Sequence, residues 1–182
     1  MKYFLMSACI VLVAGCATAQ PPTAADTFIA SLKQLCGKSF PGRLVTTDPA
    51  DKDMAGQKLT MGPVACTAEG VAIPFAVGEN RSRNWHITRT QTGVRLKHVH
   101  THDDGSEDKV SRYGGDTAAA GTATRQEFPA DQFSKELFLA NKLERSVTNV
   151  WAVEIVPGQM FAYELRRTNR FFRVEFDLKP AQ

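Results

Sequence analysis

The final third of the chain leaves the fewest choices of fold. "VWAVEIV" (150–156), "MFAYELRR" (160–167) and "FFRVEFDL" (171–178) are short apolar runs separated by Pro157-Gly158 and Thr168-Asn169. In the last run Phe172, Val174, Phe176 and Leu178 alternate with Arg173, Glu175 and Asp177. Successive side chains on a strand point to opposite faces, so this period places apolar groups on one side and charges on the other. The expectation is a three-stranded antiparallel meander with one buried and one wet face.

Shorter runs bounded by glycine continue this pattern upstream. "KLTMGPVAC" (58–66) and "GVAIPFAVG" (70–78) read as strands, with Pro63 and Pro74 marking edges or bulges. "NWHITRTQTGVRLKHVHTH" (84–102) reads as a hairpin, and "KVSRY" (109–113) and "GTATRQEF" (121–128) as further strands. "DPADKDMAG" (48–56) is turn chemistry without a buried pattern.

Two helices interrupt the strands. Thr23 with Asp26 three positions on is a capping signal; Phe28, Ile29, Leu32 and Leu35 follow at helical spacing, and Gly37 ends the run. Pro129 and Asp131 open the second, which continues through Phe133, Leu137, Ala140 and Leu143. The fold class is therefore mainly β: a strongly curved antiparallel sheet or calycin-like barrel, with an N-terminal helix and one helix around 131–145. A length of 182 residues is enough for one domain with a sizeable core.

The first residues are set apart from that fold. Lys2 and the apolar run "YFLMSACIVLVAG" form an export leader too short to span a bilayer. "VAGC" at Val13–Cys16 resembles a bacterial lipobox, which makes residues 1–15 a signal peptide and Cys16 the lipidation site. "ATA" at Ala17–Ala19 offers a cut after residue 19 instead, giving a soluble periplasmic or secreted chain. Residues 16–25 read as a tether and 26–182 as a single β domain. A lipid would hold the protein on the periplasmic side of a bacterial membrane, the membrane surface being its partner.

Removing residues 1–15 takes away one base, Lys2, and no acid, leaving 21 basic against 19 acidic residues. That near-neutral balance argues against nucleic-acid binding by bulk charge. Cys36 and Cys66 are then the only pair left in the domain, and an oxidising compartment favours a disulfide between them over two buried thiols.

No G-x-S-x-G, H-E-x-x-H, G-x-G-x-x-G or C-x-x-C occurs. "CGKS" (36–39) has Leu32 where a P-loop needs its first glycine, and "DDGSED" (103–108) does not fit the spacing of an EF-hand loop. No enzyme is assigned, and the reading inclines away from one.

The chemistry that remains is concentrated in "HVHTH". His98, His100 and His102 occupy alternate positions and share one face, neighbours being about 6.5–7 Å apart. The turn decides what stands opposite. A two-residue turn at Thr92-Gly93 puts Trp85 against His100 and Ile87 against His98, lining an aromatic face. A three-residue loop with Gly93 at positive φ puts His86 against His98, so that His86, His98, His100 and His102 share a face suited to zinc or copper, with Asp103 or Asp104 as further ligand or base. A third reading leaves the histidines on a solvated face.

Arg81, Arg83, Arg89 and Arg95 flank the hairpin, and Arg166, Arg167, Arg170 and Arg173 lie near the last turn. One or two pointing into a barrel would bind a carboxylate or phosphate. The leading expectation is a binding module for a small anionic or amphipathic ligand, contacted by Arg83, Trp85, Arg89, His98, His100 and Tyr113. The rivals are a metal-binding protein or metal-dependent enzyme, and an envelope interaction protein with no small ligand.

"NRSRNW" (80–85), "HVHTHDDGSED" (98–108), "YGGD" (113–116) and "FPADQF" (128–133) together resemble a family of secreted bacterial proteins of unknown function. The resemblance covers roughly residues 80–135, with a weaker match through the final strands. It implies export and a shared fold and carries no catalytic residue.

Overall fold

The computed structural model describes residues 21–179; the leader, Cys16 and the alternative cut after Ala19 lie outside the described residues. In chain order the elements are α1 (Ala24–Lys33), β1 (Phe40–Leu44), β2 (Leu59–Met61), β3 (Ala65–Cys66), β4 (Gly70–Val77), β5 (Asn80–Arg89), β6 (Val94–His100), β7 (Tyr113–Asp116), β8 (Arg125–Pro129), α2 (Gln132–Ala140), β9 (Val150–Val156), β10 (Met160–Arg167) and β11 (Arg170–Asp177). Short 3-10 turns lie at Pro49–Asp51 and Glu144–Thr148.

The strands form one antiparallel sheet in the order β7-β6-β5-β4-β2-β1-β11-β10-β9-β8, with β3 on β4. The curved sheet comes almost full circle. Its terminal strands meet without a ladder: the Asp131 N–H donates to the Gly114 carbonyl at 2.9 Å, and the Gly115 backbone presses against the Pro129 carbonyl. The first turn of α2 covers this seam, where the buried Ser134 hydroxyl accepts from the Gly114 N–H at 2.7 Å and lies 2.9 Å from the Gly114 carbonyl.

α1 is capped as expected. The Thr23 hydroxyl accepts from the Asp26 N–H, and the Asp26 carboxylate accepts from the Thr23 N–H. Asp26 also takes a 2.7 Å ion pair from Arg89, tying the helix to the end of β5. Phe28, Ile29 and Leu32 face inward, and α1 packs against β4, β5 and β9, stoppering one end of the barrel. The Cys36–Cys66 disulfide, with Cα atoms 5.8 Å apart, ties the segment after α1 to β3; closing such a loop is worth on the order of 3 kcal/mol.

The terminal meander forms as expected, with Phe172, Val174, Phe176 and Leu178 buried. Other boundaries differ. β1 falls in a segment without strand signals. "KLTMGPVAC" breaks into β2 and β3 around Gly62-Pro63. The strand expected at 109–113 begins only at Tyr113, after Arg112 turns the chain at φ 60°. The second helix closes at Ala140 rather than near 145.

The outer face of the meander carries one dense charge cluster. Glu164 is 2% exposed and is contacted by Arg125 at 2.8 Å, Arg166 at 2.7 Å and Arg173. Burial alone would push its carboxyl up; hydrogen bonds from Arg125 and Arg173 outweigh burial and hold it below the usual range. Glu164→Ala leaves these arginines crowded without their main acceptor, and is expected to cost about 2 kcal/mol in urea unfolding. A loss under about 0.5 kcal/mol would show that Glu127, Glu154 and Glu175 take over the arginines.

Candidate functional site

The hairpin register sets the site. β5 and β6 pair with Arg89 opposite Val94, so Trp85 faces His98 and Arg83 faces His100. Neither register expected from the sequence occurs, because the loop has four residues, Thr90–Gly93. Thr90 closes it: its N–H donates to the Gly93 carbonyl at 2.9 Å and its hydroxyl accepts from the Gly93 N–H at 3.0 Å, while Arg89 donates to the Gly93 carbonyl at 2.8 Å. Gly93 is not among the residues at positive φ.

An even-numbered loop keeps Arg83, Trp85 and Ile87 on the same face as Leu96, His98 and His100. His86 therefore points to the opposite face, beside Lys97, and the four histidines do not meet. His102 is exposed, its Nε2 3.9 Å from the Asp108 carboxylate. Asp103 and Asp104 are exposed, and Asp104 accepts from the Ser106 N–H in a local turn. Among the described residues no group of three or more His, Cys, Asp or Glu side chains converges to hold a metal ion.

The inner face does line a cavity, open on one side. At the end of the barrel away from α1 is a space of about 150 Å³. Its wall is built by Phe75 of β4, Arg83, Asn84 and Trp85 of β5, His98 and His100 of β6, Tyr113 of β7, Tyr163 and Leu165 of β10, and Arg170 and Phe172 of β11. Asp51 and Met54 reach it from the 48–57 segment. Five of the six residues expected at a ligand surface line this space. Arg89 does not: it lies at the opposite pole, on Asp26.

Aromatic stacking holds the wall. Trp85 lies between Tyr163, at 4.4 Å and 17°, and Phe75, at 4.8 Å and 20°. His98 stacks on Tyr113 at 4.6 Å and 14°. His98 is 3% exposed, and its protonation follows from its neighbours. Nδ1 is 3.1 Å from the Tyr113 carbonyl, which can only accept, so Nδ1 carries the hydrogen. Nε2 is then bare and accepts the Tyr163 hydroxyl proton at 2.6 Å. A second pair, His100 Nε2 and the Tyr113 hydroxyl, stands at 2.9 Å.

Burial pushes His98 down to about 3 and Tyr113 up to about 12, and raises Tyr163 well above the ordinary phenol value. His100 is lowered by burial and by the charge of Arg83. These shifts keep every member neutral at pH 7. They oppose proton transfer between Tyr163 and His98, since each group holds its present state more firmly than in water. The network holds two hydrogen-bonded Tyr–His pairs in place.

Two arginines line the cavity. Arg170 is neutralised by Asp51, at 3.0 Å between Nη1 and Oδ2, and by Asp48 at 3.1 Å. Arg83 donates to the Asn80 side-chain oxygen at 2.9 Å and, among the described residues, forms no ion pair with an acid. It is the uncompensated charge of the site.

Sequence reasoning missed Asp51, Met54 and Tyr163, and placed Arg170 only among eight candidate arginines. Residues of "NRSRNW", "HVHTH" and "YGGD" supply half of the wall, while "FPADQF" builds the seam beside it. No family model, curated protein or solved structure matches the chain.

Proposed function

We propose that the protein is an exported, lipid-anchored binding module of the bacterial envelope, which holds a small amphipathic anion in the barrel cavity. One observation carries the reading: Arg83, a guanidinium without a carboxylate partner among the described residues, stands at an aromatic-walled space. A site of about 150 Å³ is below the usual range of drug-sized pockets, so the ligand is short. Its anionic group pairs with Arg83 and its apolar body meets Phe172, Leu165 and Met54. The neutral Tyr–His pairs favour binding over catalysis. Export is supported by the apolar leader and the lipobox at Cys16, and the Cys36–Cys66 disulfide suits an oxidising compartment.

Benzoate, a minimal amphipathic anion, is the probe. Calorimetric titration is expected to detect it in the wild type, and Arg83→Gln to weaken it by about tenfold or more, as loss of a charge-assisted contact implies. Equal affinity in both proteins would remove Arg83, and with it this reading. Intact-mass measurement on the protein from bacterial membranes is expected to show lipid on Cys16; a chain starting at Gln20 would replace the anchored form with a soluble one.

A further inference from the structure

We infer that the cavity selects a carboxylate of about one ring's volume that carries a hydrogen-bond donor away from its carboxyl group, with the Tyr163 hydroxyl oxygen as the acceptor that reads it. This rests on the binding reading above and names the ligand class.

The size argument comes first. A space of about 150 Å³ accommodates one benzene-sized body. A second ring or a long acyl chain would have to project from the open mouth, where the stacked wall gives it no contact. The stacked Phe75, Trp85 and Tyr163 leave that wall little freedom to give way.

The polarity argument follows from the hydrogen count. Tyr163 has one hydroxyl proton, and it is committed to His98 Nε2. His98 cannot reverse the bond, because its own hydrogen is held on Nδ1 by the Tyr113 carbonyl. The Tyr163 oxygen thus keeps its acceptor capacity, and among the described residues no protein group donates to it. A hydroxyl fixed this way accepts and cannot donate. A ligand hydroxyl or amine meeting it gains a hydrogen bond; an ether or ketone oxygen meets lone pair with lone pair and is rejected. The carboxylate belongs at Arg83, the donor at Tyr163.

The test is a ligand series on the folded wild type, read by calorimetry: benzoate, 3-hydroxybenzoate, 4-hydroxybenzoate and 4-methoxybenzoate. One hydroxy isomer is expected to bind about tenfold tighter than benzoate, and the methoxy compound more weakly than benzoate. Tyr163→Phe is expected to bring the hydroxybenzoates level with benzoate, whatever the affinity of benzoate for the variant. If that variant does not fold, the wild-type series alone decides. Benzoate and both hydroxybenzoates within about twofold of one another would overturn the inference and leave the Arg83 reading standing. No binding by any of the four at about 10 mM would overturn both.

Discussion

Gly115→Ala is expected to destabilise the protein by about 3–4 kcal/mol, although it adds a single methyl group. Gly115 lies on β7 where the curved sheet meets its other edge. A Cβ built there stands 1.9 Å from the Pro129 carbonyl oxygen, 3.0 Å from the Pro129 carbonyl carbon and 3.3 Å from the Asp131 nitrogen. All three are backbone atoms, so no side chain can swing aside. On its other edge β7 is held by the β6 ladder, with Leu96 opposite Gly115. Relief requires the seam to part by more than an ångström. That loses the Asp131-to-Gly114 hydrogen bond and the Ser134 contacts with Gly114, and it admits water beside Tyr113, Phe138 and Trp151. Urea unfolding measures the loss. A loss below about 1 kcal/mol would mean that the seam yields without opening.

Stability is expected to rise steeply with pH between about 4.5 and 6.5, because of His98. The sign follows from proton counting. In the unfolded chain this imidazole protonates near its ordinary value of 6.5; in the fold burial holds it down to about 3. Across that interval the unfolded state binds more protons, so stability increases with pH and falls as the solution is acidified. The full interval corresponds to about 4–5 kcal/mol, and the part from pH 6.5 to 4.5 to about 2 kcal/mol. Burial also lowers His86 and His100, which tilt the curve the same way. The lowered carboxylates Asp131 and Glu164 contribute only further down, below about pH 4.5. His98→Gln removes the titrating ring yet can still accept the Tyr163 proton. Its denaturation midpoints are expected to change much less over the window. A flat wild-type curve would show that His98 takes up its proton inside the fold.

The two halves of the architecture differed in legibility for physical reasons. The meander was readable because Arg173, Glu175 and Asp177 form a charged outer face on strands whose other face is apolar and buried, so the two-residue period appears in the sequence. β1, "FPGRL", carries a proline and a glycine and little strand propensity. It is recruited by its neighbours, Leu59 and Met61 on one side and Val174 and Phe176 on the other. The histidine face was the hardest feature to place, because one residue in the loop exchanges the two faces of a strand. The Thr90 hydroxyl stabilises a four-residue closure that glycine spacing alone does not reveal. Arg89 shares the strand parity of Trp85, but parity assigns a side and not a height along the barrel, and Arg89 lies at the other pole on Asp26.

Asp51 shows the opposite difficulty. In "DPADKDMAG" it looks like one more turn residue, and it is 4% exposed only because Arg170, 119 residues later, comes back to meet it. Tyr163, inside the apolar run of β10, looked like core, and its partner His98 lies 65 residues away. Contacts of that separation leave no local trace.

The helix that stoppers one pole of the barrel gives the vessel a direction. With α1 seated across that end, the chamber at the other is a cul-de-sac: whatever enters must leave by the same doorway before a successor can follow. A lipid on Cys16, eight residues before Ala24, would hold the closed pole within about 28 Å of a membrane. The doorway is at the pole farther along the barrel from that point of attachment.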